Sequence, residues 1–438
     1  MDPAYIGLMG FVLMLIMIAL GSPVGFALGL PGILGLFWIT GIPGTFEILI
    51  SQTFRFATKY EFTAVPLFLT MGYMATYAGV TKSAYDSARI WLAGLPGGLS
   101  MATAVASGFL GACMGSGIPA AAAMGRVAIP EMLRHNYDKA LAAGSVAAAA
   151  TVAVLIPPSI PMVIYAIFTE ASLGNMLLAG YLPGILSIMF YVVVIGLRVY
   201  LNPKLAPSTI GETITWKQRL EALKGLWGIG VLFAVLLVGI YSGFFTPTEA
   251  AAAGAFAAFV IMVVTKHFSW ESLRSSMVGT LEVCAMLFML LIGASIFVVF
   301  ITVSGLPKMM ASWIVGANLS PLAFIIVICI LFLFLGCFMD AISMLLLTIP
   351  VFLPVLVSLD INLIWFGIIY IKMAEIGGMT PPFGISVYVV KGVVGDEIPL
   401  TTIFRGIWWF VITEFVIVAI LIAFPQISLW LPMTMKRG

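Results

Sequence analysis

The residues best suited to chemistry lie in two stretches, Gly111–Pro161 and Gly336–Ser386. Each opens on Phe-Leu-Gly, as Phe109-Leu110-Gly111 and Phe334-Leu335-Gly336, and each carries a Pro-Pro pair inside an apolar run, Pro157-Pro158 and Pro381-Pro382. Gly111 precedes Pro157 by 46 residues and Gly336 precedes Pro381 by 45. A proline lacks the amide donor and leaves the carbonyl one turn back without its partner. In hydrocarbon an unsatisfied carbonyl costs several kcal/mol, and a small cation ringed by oxygens satisfies several at once. The N-terminal ends of interrupted helices carry about half a positive charge each and favour an anion. Paired cation sites with an anion between them are therefore the chemistry this layout suggests. One Pro-Pro pair alone reads equally well as a plain kink; two at matching places argue for more.

In the first stretch the candidate sodium ligands are Gly115, Ser116, Gly117, Thr151 and Pro157, with the carbonyl of Ile156 beside the last. In the second, Asp340, Ala341 and Ser343 stand against Gly377, Gly378 and Thr380. Ser116, Ser159, Thr380 and Ser386 are candidate substrate contacts. An aspartate at mid-membrane costs about 2.5–3.5 kcal/mol on insertion scales. Asp340 should thus face protein, an ion or a wet cavity, either as a ligand or as a cap at a hairpin turn. Lys372 and Glu375 lie three apart on one helix face and are expected to pair, as a structural bridge or on a coupling path. Glu282 and Glu414 are expected to snorkel or cap, and His135 and His267 to sit solvated in basic loops. Cys113, Cys284, Cys329 and Cys337 match no metal or redox spacing and read as small buried hydrophobes. There is no Walker motif, nucleophile elbow or HExxH, so no enzyme, cofactor or metal beyond sodium is expected. Any transport must then draw on an ion gradient. Sodium is favoured over protons, because Asp340 and Glu375 are the only obvious proton carriers among abundant hydroxyls and unwound backbone.

The elements that position these residues follow from composition. Of 438 residues, 62% are hydrophobic and 9% charged, against about 25% charged in soluble domains. The chain reads as an all-α polytopic membrane protein, with about ten apolar runs of spanning length and two interrupted regions. The formal charge of +2 is spread over loops and implies no nucleic-acid partner; the bilayer is the partner it does imply. Met1-Asp2-Pro3 has no basic n-region, so the first apolar run is expected to stay as a span. Residues 1–60 read as N-terminal scaffold spans, with 41–60 mixed and interfacial. Residues 61–200 read as a first repeat with a re-entrant hairpin at about 99–132. Residues 201–280 read as a cytoplasmic linker and scaffold spans, and 281–438 as a second repeat with a hairpin at about 319–357.

Lysine and arginine set the expected orientation. The loop after the first hairpin holds Arg126, Arg134 and Lys139, whereas Val351–Asn362 after the second holds none. Thr169–Asn175 after the first Pro-Pro helix holds none, whereas Lys391 and Arg405 follow the second. The bias reverses, so the repeats are expected to be inverted, the first hairpin entering from the cytoplasm and the second from outside. Both termini then lie outside, with Lys436 and Arg437 pulling against the C-terminal placement.

These residues also resemble a known family. Leu155-Ile156-Pro157-Pro158-Ser159-Ile160-Pro161-Met162, Leu178-Ala179-Gly180, Leu182-Pro183-Gly184, Ile376-Gly377 and Thr380-Pro381-Pro382-Phe383-Gly384 are similar to patterns of the large membrane subunit of tripartite ATP-independent periplasmic (TRAP) transporters. Ala64-Val65-Pro66-Leu67-Phe68, Gly97-Gly98-Leu99 and Asn136-Tyr137-Asp138 match as well. The resemblance implies an elevator-type secondary transporter of the bacterial inner membrane, coupled to sodium. It also implies two partners, a small four-helix membrane subunit and a periplasmic binding protein that delivers an organic anion such as a dicarboxylate or sugar acid. A self-sufficient dicarboxylate or citrate carrier of the wider ion-transporter superfamily is the alternative, and a channel a further one. The tip Met114-Gly115-Ser116-Gly117-Ile118-Pro119-Ala120 departs from the family's hydroxyl-rich pattern, so a sodium site there must lean on backbone carbonyls.

Overall fold

In hydrocarbon only helices and closed barrels satisfy every backbone amide, and this chain takes the helical solution. A computed structural model describes residues 3–207, 214–309, 312 and 320–435. The first half contains α1 (Pro3–Ala19), α2 (Val24–Ala57), α3 (Ala64–Tyr77), α4 (Val80–Leu92), α5 (Gly98–Met114), α6 (Gly117–Arg134), α7 (Lys139–Leu155), α8 (Ile160–Thr169), α9 (Leu173–Ala179) and α10 (Tyr181–Leu201). The second contains α11 (Trp216–Lys224), α12 (Trp227–Tyr241), α13 (Pro247–Val264), α14 (Trp270–Ser304), α15 (Pro321–Gly336), α16 (Ala341–Ser358), α17 (Leu363–Met379), α18 (Ile385–Val394), α19 (Leu400–Ala423) and α20 (Gln426–Thr434).

Six helices are long and apolar enough to cross a bilayer, or up to eight if each bent pair counts as one span. The expected ten were too many, because several apolar runs fold as shorter helices, Pro3–Ala19 and Pro321–Gly336 among them. Residues 41–60 also differ from expectation. Gly41 takes φ 71, and α2 continues through this kink to Ala57 instead of ending near Thr40. Likewise α14 starts at Trp270, within the expected basic loop, because Ser269 and Ser272 close a capping box there. Large apolar side chains such as Trp38, Phe54 and Phe334 are exposed on the outer helices, as expected where lipid is the solvent.

Two groups of helices emerge. The helices α1, α2 and α14 pack together, and α3 packs against α13 and α14. The hairpins and broken helices form the other group. The α5–α6 hairpin packs on α7, and α15 packs on α17. Each second arm also crosses to the opposite half, α6 onto α18 and α16 onto α8. Hairpin and broken helix thus follow each other twice along the chain. The observed arms, 98–134 and 321–358, lie close to the expected 99–132 and 319–357. Residue 319, Lys436 and Arg437 lie outside the described residues. Both breaks fall at the Pro-Pro pairs, whose peptide bonds are cis, and α7 and α8 meet at 42°. Local capping starts the broken helices: Asp138 accepts from Leu141 N at 3.0 Å, and Asn362 from Ile364 N at 3.0 Å and Trp365 N at 3.1 Å.

Candidate functional site

The first hairpin turns at Gly115 and Ser116, and the turn rests on the break between α7 and α8. Gly115 adopts φ 62, a left-handed conformation that glycine tolerates without penalty. A Cβ there would lie 2.4 Å from the Pro158 carbonyl oxygen, so only glycine fits. The Gly115 carbonyl accepts from Ile160 N at 3.1 Å, joining hairpin tip to broken helix. Gly117, which starts α6, comes close to the carboxylate of Glu375 on α17; a Cβ at Gly117 would lie 3.3 Å from Glu375 Oε2.

The second hairpin seats itself by different contacts. Gly336 and Gly377 touch backbone to backbone, and a Cβ on Gly377 would lie 2.6 Å from Gly336 Cα. Cys337 Sγ donates to the Pro381 carbonyl at 3.5 Å, and the Tyr370 hydroxyl donates to the Ala341 carbonyl. Asp340 caps α16: its Oδ2 accepts from Ile342 N at 3.0 Å and Ser343 N at 3.3 Å, while the Ser343 hydroxyl donates to Oδ1.

Between the two tips lies a cavity of about 80 Å³. It is lined by the first residues of four helices: Ser116 to Ile118 before and in α6, Ile160 and Pro161 of α8, Met339 to Ile342 at α16, and Ile385 and Ser386 of α18. Ser159 caps α8 and Asp340 caps α16, but no side chain caps α6 or α18. The first amides of those two helices are therefore available to a ligand, each with the partial positive charge of a helix start. Glu375 and Gly378 of α17 close the wall. The arrangement sets positive helix starts and hydroxyls beside two carboxylates, which suits an anion and cations held together.

Of the residues singled out from sequence, Ser116, Gly117, Asp340 and Ser386 line this cavity, with Ala341 and Gly378. Gly115, Pro157, Ser159, Gly377 and Thr380 are not among its lining residues. Gly115 and Gly377 form the seats just described, and the Thr380 hydroxyl donates to the Ile376 carbonyl at 2.6 Å. Thr151 turns elsewhere: its hydroxyl meets the Ala148 carbonyl at 2.8 Å and the Tyr191 hydroxyl at 3.2 Å.

That contact leads to a network the sequence reading missed. Lys372 does not pair with Glu375 as expected. It forms an ion pair with Glu414, and its ammonium also donates to Ser187 Oγ at 3.0 Å. Glu414 neither snorkels nor caps: it is fully buried and accepts from the Tyr191 hydroxyl at 2.7 Å. The physical reason is reach across the bundle, since α17 and α10 both pack on α19. The one available signal was that an isolated glutamate within an apolar run must find a buried cation. Glu375 is left facing the cavity and makes no hydrogen bond or ion pair among the described residues.

The small cavity adjoins a larger one of about 720 Å³, which shares Ser116, Ile118, Ile160, Asp340, Ile342 and Ile385 with it. Its far wall comes from α2, α3 and α14, including Leu69, Tyr73, Met286 and Leu290. It thus lies between the hairpin group and the outer helices.

Comparison with known proteins accords with this architecture. The chain is structurally similar to the YdaH transporter of Alcanivorax borkumensis, with TM-score 0.63, 16% identity and 99% of each chain covered. It is likewise similar to MtrF of Neisseria gonorrhoeae, with TM-score 0.60, 13% identity and coverage of 97% and 95%. At these identities the likeness concerns the fold alone. In sequence it is 34% identical over 409 residues to the C4-dicarboxylate TRAP transporter large permease protein DctM of Pseudomonas aeruginosa, covering 93% of each chain. It is 30% identical over 414 residues to the sialic acid TRAP transporter large permease protein SiaM of Vibrio cholerae, covering 94% of this chain and 95% of that one. The family signature described as "Tripartite ATP-independent periplasmic transporter, DctM component" matches residues 11–427. With its multi-pass helical fold and these relatives, the chain belongs to the DctM component family of tripartite ATP-independent periplasmic transporters, as a large permease protein.

Proposed function

We propose that this protein imports a small organic anion across the bacterial inner membrane, driven by sodium. In this reading it receives the anion from a periplasmic binding protein and works with a small membrane subunit. The observation that carries the proposal is the convergence of four helix starts from two hairpins and two broken helices on one cavity. The uncapped starts of α6 and α18 and the hydroxyls of Ser116 and Ser386 serve an anionic group. Sodium is held on either side by oxygens of the tips. In the first half these are carbonyls at Gly115, Ser116, Gly117 and Pro157. In the second they come from Asp340, Gly377 and Thr380. Since Thr151 spends its hydroxyl on Tyr191, the first cation site rests on backbone. Ser159, within α8's first turn, supports the anion end by capping rather than by direct contact.

Bound cations offset the charges of Asp340 and Glu375, so that anion and sodium bind better together than either alone. Hairpins and broken helices then move as one body against α2, α3 and α14, carrying the cavity between the two faces. Relatives named for C4-dicarboxylates, sialic acid and 2,3-diketo-L-gulonate support an acid as cargo. The test is uptake into proteoliposomes holding the chain and its membrane partner, with the binding protein outside. Uptake is expected only under an inward sodium gradient. Equal uptake in sodium-free buffer at fixed potential would remove the coupling, and full uptake without the binding protein would favour a self-sufficient carrier.

A further inference from the structure

The two joined cavities differ in chemistry, and the difference bears on the cargo. The small one offers helix starts and hydroxyls. The large one is walled chiefly by apolar side chains, among them Met114, Pro119, Leu69, Leu287 and Leu290. No lysine, arginine or histidine lines either cavity. The charged residues that do line them are Asp340, in both, and Glu375, in the small one. The hydroxyls of the large cavity are mostly committed. Thr76 donates to the Gly72 carbonyl at 2.8 Å and Ser343 donates to Asp340, which leaves Ser116 at the junction and Tyr73 and Tyr77 on one side.

We infer that the cargo is a monocarboxylate with an apolar alkyl or aryl body, its acid group in the small cavity and its body in the large one. The inference rests on the reading above that the small cavity takes an acid. A second carboxylate placed in the large cavity meets no cation and no helix start, and an unpaired buried charge is costly. The hydroxyls of a sugar acid face methionine, leucine and proline. An alkyl body, by contrast, gains from every methylene it buries, and a volume of about 720 Å³ lies in the range of ordinary ligand pockets. Continuity through Ser116, Ile118 and Asp340 holds acid and body at the spacing of one small molecule.

The experiment is direct binding to the full-length chain in lipid nanodiscs, read by thermal stabilisation, in sodium chloride and in choline chloride. The probes are 4-methyl-2-oxopentanoate, phenylpyruvate, pyruvate, succinate and gluconate. In sodium the two bulky acids are expected to bind at least about tenfold more tightly than pyruvate, the worth of one methylene in an apolar pocket. Succinate and gluconate are expected to bind more weakly than pyruvate. Sodium-dependent binding of succinate or gluconate as tight as that of the bulky acids overturns the inference and leaves the import reading standing. Bulky-acid preference undiminished in choline upholds the inference and removes sodium coupling. Absence of binding by every acid removes both. Ile118, 45% exposed, can be changed without opening the core. Ile118→Ser is expected to weaken 4-methyl-2-oxopentanoate by about tenfold while sparing pyruvate; equal loss of both would show that this wall does not hold the body.

Discussion

Replacing Lys372 by methionine isolates the buried ion pair from everything around it. Lys372 is 1% exposed and Glu414 0%, so the change strands a carboxylate with no water to solvate it. Breaking a buried pair from one side costs about 3–5 kcal/mol. The Tyr191 hydroxyl still donates to Glu414 at 2.7 Å, which sets the expectation at the lower end, about 3 kcal/mol. Ser187 adds little, because its hydroxyl keeps its bond to the Pro183 carbonyl at 2.8 Å. The double variant Lys372→Met/Glu414→Leu removes both charges and leaves Tyr191 its contact with Thr151. Its loss should stay within about 1 kcal/mol. A membrane protein of this size is best followed by its half-life at fixed temperature, using fluorescence-detected size exclusion. If half of the 3 kcal/mol falls on the unfolding rate, the single variant's half-life shortens by about tenfold. The double variant should recover most of that. A single variant as long-lived as the parent, or a double variant as short-lived as the single, would refute the reasoning.

Further outcomes follow from the tips and the cavity. Gly115→Ala combines positive φ with a Cβ 2.4 Å from the Pro158 oxygen, so transport should be abolished. Gly94→Ala also carries positive φ (+85) but meets nothing within 4 Å; it should cost about 1 kcal/mol and retain uptake. Asp340→Asn keeps an equally good cap for α16 while deleting the charge. Normal expression with uptake reduced about tenfold or more would match a cation ligand, whereas unchanged sodium dependence would reduce Asp340 to a cap. Gly378→Ala meets nothing within 4 Å yet points a methyl group from a residue that lines the small cavity. Thermal stability should hold within about 0.5 kcal/mol while substrate affinity falls, and a parallel loss of both would argue against the cavity as the binding site.

What could be read from the chain directly was whatever depends on neighbours in sequence. A charged fraction of 9% leaves only the bilayer as a solvent for so much apolar surface. Pro157-Pro158 and Pro381-Pro382 break their helices wherever those helices lie, because the missing amides are a covalent fact. The hairpin turns at Gly115 and Asp340 were visible for the same reason, as was the surface helix Trp216–Lys224 in the polar connection between the halves. The length of α2 past Gly41 was not, since a glycine kink and a helix end look alike in one dimension. Polarity in an apolar run announces that a partner exists, but not which one. Glu414 found Lys372 and Tyr191, the latter 223 residues away, and Lys372 passed over Glu375 one turn along its own helix. Only three-dimensional packing decided that, because burial makes the nearest compensating charge in space the one that matters. The same packing alone set the Gly115 carbonyl on Ile160 and left Glu375 facing the cavity between the tips.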